Sequence, residues 1–191
     1  DANPRSLSFA KDAFPPDIDA LQKPPAKIDA AEIRQAYGVG GGELGNVASK
    51  LAAAEQMLRG GTNVITLSDQ GWDTHGDRAG ASVRRQMTSN IIPALNTFLT
   101  RLKSDAELNA MNVSVVIHGD FARSLPSSDH APALSALVIG PNVKLGTTGK
   151  VSASVTLKDG TGGGKEMWAY LAAIAKVQNK VFGNNPHDLV L

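Results

Sequence analysis

The sequence predicts an α/β fold: a mainly parallel sheet flanked by helices. Two short apolar runs, Asn63-Val64-Ile65-Thr66-Leu67 and Val113-Ser114-Val115-Val116-Ile117, read as buried strands. A long amphipathic helix lies between them, and a strand–helix–strand connection of that length implies parallel strands. Each run leads directly into a polar loop rich in Asp and His. Such loops hold the ligand sites of open parallel sheets.

The elements follow in order. Residues 1 to 45 are irregular, because Pro4, Pro15, Pro16, Pro24 and Pro25 each remove a backbone N–H and restrict the preceding residue. Within this strap, Asp29 to Tyr37 predicts one short helix, with Asp29 as its N-cap and Glu32 three residues on. Asn46 caps a second helix through Arg59, with Val47, Leu51, Ala54 and Leu58 on one face and Gly60-Gly61 as its stop. A third helix spans about Ser82 to Ser104, with Val83, Met87, Ile91, Leu95, Phe98, Leu99 and Leu102 as its apolar stripe. Pro93 predicts a kink there, or two helices with Pro93 in the first turn of the second. Leu134 to Ile139 is a third apolar run, ended by Gly140-Pro141. Val151 to Leu157 alternates like an edge strand or hairpin arm, and Glu166 to Phe182 reads as a final helix. The domain is expected over residues 46–191, with residues 1–45 as its strap.

Composition narrows the function classes. Of 191 residues, 42% are hydrophobic and 19% charged, enough apolar material for a core. A formal net charge of +1 gives no field suited to nucleic acid. No apolar run approaches the roughly 20 residues that cross a bilayer. The absence of cysteine excludes disulfides, thiolate metal sites and cysteine nucleophiles. Ser124, Ser127 and Ser128 lack the strand–turn–helix context of a serine hydrolase. The Gly40-Gly41-Gly42 and Gly162-Gly163-Gly164 runs lack that of a phosphate loop.

The chemistry concentrates in two loops. One is Asp69-Gln70-Gly71-Trp72-Asp73-Thr74-His75. The other holds His118-Gly119-Asp120-Phe121-Ala122-Arg123-Ser124 and then Ser128-Asp129-His130. Parallel strands would open both on one edge of the sheet. Asp73, His75, Asp120, Asp129 and His130 are the candidate metal ligands. Imidazole nitrogen with carboxylate oxygen suits zinc, manganese or iron(II). His118, at a strand end, is the weaker candidate. Arg123 has the fork geometry to hold an anionic oxygen pair, or to pair with a loop carboxylate. Asp73 and Asp129 have a plain alternative, hydrogen bonding to their own loop backbone. Trp72 has one too, packing against its loop.

At these residues the sequence resembles domain-of-unknown-function family 1501. The resemblance rests on Gly71-Trp72-Asp73-Thr74-His75, an Ile-Pro-Ala-Leu segment in the long helix, Asp120-Phe121-Ala122-Arg123-Ser124, and Asp129-His130 before an apolar strand ending in Gly140. It covers about residues 60 to 140. The resemblance implies kinship with the alkaline-phosphatase and sulfatase superfamily, whose members bind two metal ions and attack phosphate or sulfate esters. It places Asp73 and His75 in one metal site, makes Asp120 a ligand where the family pattern has Glu, and puts His130 and Arg123 at the family's late histidine and arginine. Ala122 and Ser124 also depart from the pattern, which has Gly and Thr.

The same resemblance implies that this chain, which begins at Asp1, is the C-terminal half of a longer or processed protein. Its first half, bearing the nucleophile, would then be its partner, unless another subunit is. The implied function is the metal-binding part of a hydrolase, with zinc or manganese as cofactor and a periplasmic or extracellular location. The alternative is a non-catalytic binding or structural component of an envelope assembly that keeps the fold.

Overall fold

A computed structural model describes residues 28–40, 45–77, 79–119, 122–123, 130–131, 135–148, 163–177, 181–187 and 189–191. The chain divides into two compact units. One combines the residues up to Asp69 with Met87–Arg101, and the other combines Gln70–Gln86 with Leu102–Leu191.

The first unit is helical. Helix α1, Ala30–Ala36, starts where the Asp29 carboxylate accepts hydrogen bonds from the Ala31 and Glu32 amides. Helix α2, Val47–Arg59, starts at Asn46, whose side chain accepts from Ser49 N. Both caps satisfy amides that the first helical turn leaves without partners. Leu51, Ala52, Ala54 and Leu58 of α2 are buried, as are Ile33, Tyr37 and Val39 from the strap. Ala94 and Phe98 complete this core from the long helix.

That helix has three parts: α3 Ala81–Gln86, a π-helical turn Met87–Ile91, and α4 Ile92–Ser104. Pro93 sits in the first turn of α4, as the second of the two sequence alternatives required. It has no N–H to donate to the carbonyl four residues back, and the wider π turn lies just upstream. Helix α5, Ala106–Ala110, is capped by Asp105, which accepts from Glu107 N and Leu108 N.

The sheet departs from expectation. Strand β1, Val115–His118, pairs antiparallel with β4, Ala136–Ile139, in the register Val115↔Ile139 to His118↔Ala136. Between them, β2 (Ala122–Arg123) pairs antiparallel with β3 (His130–Ala131). Residues 115–139 therefore carry two successive antiparallel ladders, the inner one offset by one residue from the outer. The expected mainly parallel sheet flanked by helices is incorrect for this chain. Residues 63–67, assigned to its first strand, are irregular, and Val64 is 75% exposed. A β-branched run becomes a strand only where a neighbour takes up its ladder groups. The second run finds that neighbour in the next apolar run along the chain, as antiparallel strands joined by a loop can.

Gly140 ends the outer ladder tightly against Ser114. A Cβ there would fall 2.6 Å from Ser114 Oγ and 3.2 Å from Ser114 Cα. Helix α6, Gly164–Ile174, ends well before the expected Phe182. It buries Ala169, Tyr170 and Ile174. The last residues lie on it: Tyr170 Oη donates to Leu189 O at 3.1 Å, and His187 packs at 5.1 Å from the Tyr170 ring. Val143 and Val190 form an antiparallel bridge beside them. The possible edge strand at residues 151–157 lies outside the described residues. Among the described residues no helix is long and apolar enough to cross a membrane.

Candidate functional site

The Gly-Trp-Asp-Thr-His loop is built from its two ends. Gly71 begins it at φ +86°, a left-handed conformation that glycine adopts without steric cost. The Gln86 amide of α3 donates to Gln70 O at 3.2 Å and holds this end down. At the other end the Asp77 carboxylate accepts from three amides of α3: Ala81 N at 2.9 Å, Ser82 N at 2.6 Å and Val83 N at 3.3 Å. Partial burial pushes the Asp77 carboxyl upward, but these three hydrogen bonds outweigh it and hold the group below its ordinary range.

Between the anchors, His75 Nε2 lies 3.2 Å from Asp73 Oδ1, with both side chains largely exposed. They line an open groove with Gly71, Thr74, Gly76, Asp77 and Ser82. Metal-bound nitrogen and oxygen atoms sit roughly 2.0–2.2 Å from a zinc ion. At tetrahedral or octahedral angles, two such atoms are therefore roughly 2.9–3.5 Å apart. The Asp73–His75 separation matches two adjacent ligands of one ion. Without an ion, the same separation lets His75 Nε2–H donate to the carboxylate, so metal binding would displace that proton.

The other candidates fall differently. Asp120 and Asp129 lie outside the described residues. Arg123 and His130 are direct partners across the inner ladder. His118 ends β1, exposed, and its Nδ1 lies 2.9 Å from the Gly119 carbonyl. A carbonyl only accepts, so the proton of a neutral His118 is on Nδ1. With the parallel sheet gone, strand direction no longer brings the two loops to one edge. Among the described residues no group of three His, Asp or Glu side chains is gathered to hold a metal.

Two features escaped the sequence reading. One is Asp77, whose distance from the helix it caps hides its role. The other is a buried charge cluster in the first unit. Glu55 is 0% exposed. Its carboxylate accepts from Tyr37 Oη at 3.0 Å, Arg59 Nη2 at 2.9 Å and Arg101 Nε at 2.7 Å. Arg101 also reaches both carboxylate oxygens of Glu32. Burial pushes the Tyr37 phenol up, and the Glu55 charge beside it pushes it further. Glu55 to Arg59 is a helical i,i+4 pair, a signal that was present in the sequence. With every charge met by an opposite one, the cluster joins α1, α2 and α4 and serves the packing.

No curated protein matches the chain, and no solved structure does. The profile of the family described as protein of unknown function (DUF1501) matches residues 20–158, which take in both ladders and the Asp73–His75 loop. The match spans well over half of the chain, which therefore belongs to the DUF1501 family.

Proposed function

We propose that the chain is the metal-binding part of a hydrolase acting on phosphate or sulfate esters. The observation that carries this is the Asp73–His75 pair, nitrogen and oxygen donors 3.2 Å apart in an open groove between two anchors. The proposal takes from the alkaline-phosphatase and sulfatase superfamily its chemistry. Asp73 and His75 would hold a divalent ion, zinc or manganese, completed by Asp120, Asp129 and His130. Bound there, such an ion acts as a Lewis acid on an ester oxygen. Asp73 Oδ1 and His75 Nε2 would be the two donor atoms, and the open groove admits the substrate. Arg123, paired in register with His130, would hold the anionic group. No residue of this chain is assigned as nucleophile. That group would come from a partner, either a first half of the same protein or another subunit, in a periplasmic or extracellular setting.

Hydrolysis of an aryl phosphate and an aryl sulfate by the protein purified with its natural partners tests this. Release of the aryl alcohol that needs zinc or manganese and is lost in His75→Ala is the expected result. Turnover that survives both chelation and His75→Ala would overturn it, as would no turnover with the metal bound.

A further inference from the structure

We infer that Asp77 is a positioning residue for the Asp73–His75 pair: its carboxylate ties the metal-binding loop to helix α3 and so sets where the two donors stand. This rests on the metal reading of that pair and adds to it a residue that holds the donors without being one of them.

Three aspartates meet helix starts, and one of them differs from the other two. Asp29 and Asp105 are ordinary N-caps, accepting from amides two and three residues ahead. Such a cap fixes its own helix end and little else. Asp77 reaches amides four, five and six residues ahead. Three residues intervene before α3 begins, so its hydrogen bonds close a loop onto the helix. The residue lies two positions after His75 and lines the same groove.

The geometry also says what Asp77 is not. One carboxylate oxygen accepts from Ala81 N and the other from Ser82 N and Val83 N. Both oxygens are committed to backbone amides. Asp73 instead turns its Oδ1 to His75. Two acidic residues four apart on one loop thus divide the work, Asp73 to the ion and Asp77 to the scaffold. A donor set is only as good as the packing and hydrogen bonds that hold it, and loosening such support weakens metal binding by roughly 10–100-fold. The Gln86 bond to Gln70 O holds the opposite end of the loop, which leaves Asp77 to fix the end nearer His75.

Zinc titration by calorimetry of the wild-type chain, Asp77→Ala, Asp77→Asn and Asp105→Ala tests this, with the ring signals of His75 followed by NMR in each. Asp105→Ala removes a cap of the ordinary kind, so it controls for a general loss of helix stability. The expected result is zinc binding at least about tenfold weaker in Asp77→Ala, partly restored in Asp77→Asn, and unchanged in Asp105→Ala. Equal weakening in Asp77→Ala and Asp105→Ala, or none in either, would overturn the inference. If the wild-type chain binds no zinc, the metal reading fails by itself. The His75 signals then decide the positioning: a shift in Asp77→Ala but not in Asp105→Ala upholds it, and no shift in either refutes it.

Discussion

Glu55 is the residue whose environment most limits what can replace it. A buried carboxylate is costly unless opposite charges and donors surround it. Here burial pushes its carboxyl upward, while hydrogen bonds from Arg101, Arg59 and Tyr37 together hold it below the ordinary value of 4.5. The folded group is thus the stronger acid. Between the folded and unfolded values the unfolded chain binds more protons, so stability falls as pH drops below about 4.5. Glu55→Gln should flatten that acid limb in urea unfolding followed against pH. An unchanged limb would mean that other carboxylates carry it. Arg101→Ala removes one partner and leaves the buried charge behind, for which about 3 kcal/mol of lost stability is expected at neutral pH. A loss within about 0.5 kcal/mol would show that Arg59 and Tyr37 suffice.

At the scale of elements, helix α1, helix α2 and the break at Pro93 were legible in the sequence because their signals are local. Asp29, Asn46 and the Gly60-Gly61 stop act within a few residues of the ends they set. Strand partners are chosen at a distance. Val64-Ile65 and Val115-Val116 look alike as sequence, yet only the second pair lies in a ladder. The Glu55–Arg101 contact, 46 residues apart, was hidden for the same reason. Of the candidate site, Asp73 and His75 stand out in the sequence as an acid and an imidazole in one polar loop, whereas the contacts of Asp77 needed the geometry of α3.

The antiparallel register gives a direct test, because the chain has no cysteine of its own. Val116→Cys with Val138→Cys should cross-link on mild oxidation, since these residues are direct partners. Failure to cross-link while Val116→Cys with Leu134→Cys succeeds would contradict the register. Gly140→Ala should cost about 1–3 kcal/mol in thermal unfolding, because its Cβ meets the Ser114 backbone at 3.2 Å, which cannot rotate away. A neutral effect would mean that the strand end yields more readily than the contact implies.

At the scale of the whole molecule, the chain builds two units of different character. One is a helical core closed by a charge cluster, and the other carries the hairpin ladders and the Asp73–His75 groove. The family match runs across both, from residue 20 to residue 158. What members of the family share is therefore not confined to the candidate ligands. The proposed function hangs on one property above the others, that the groove takes a divalent ion.

The most direct test is the metal content of the chain purified from its source, by elemental analysis, beside that of Asp73→Asn and His75→Ala. Zinc or manganese is expected at about one or two ions per chain in the wild type, with at least one lost in each variant. A wild type with no bound metal, or variants that keep the full complement, would contradict it.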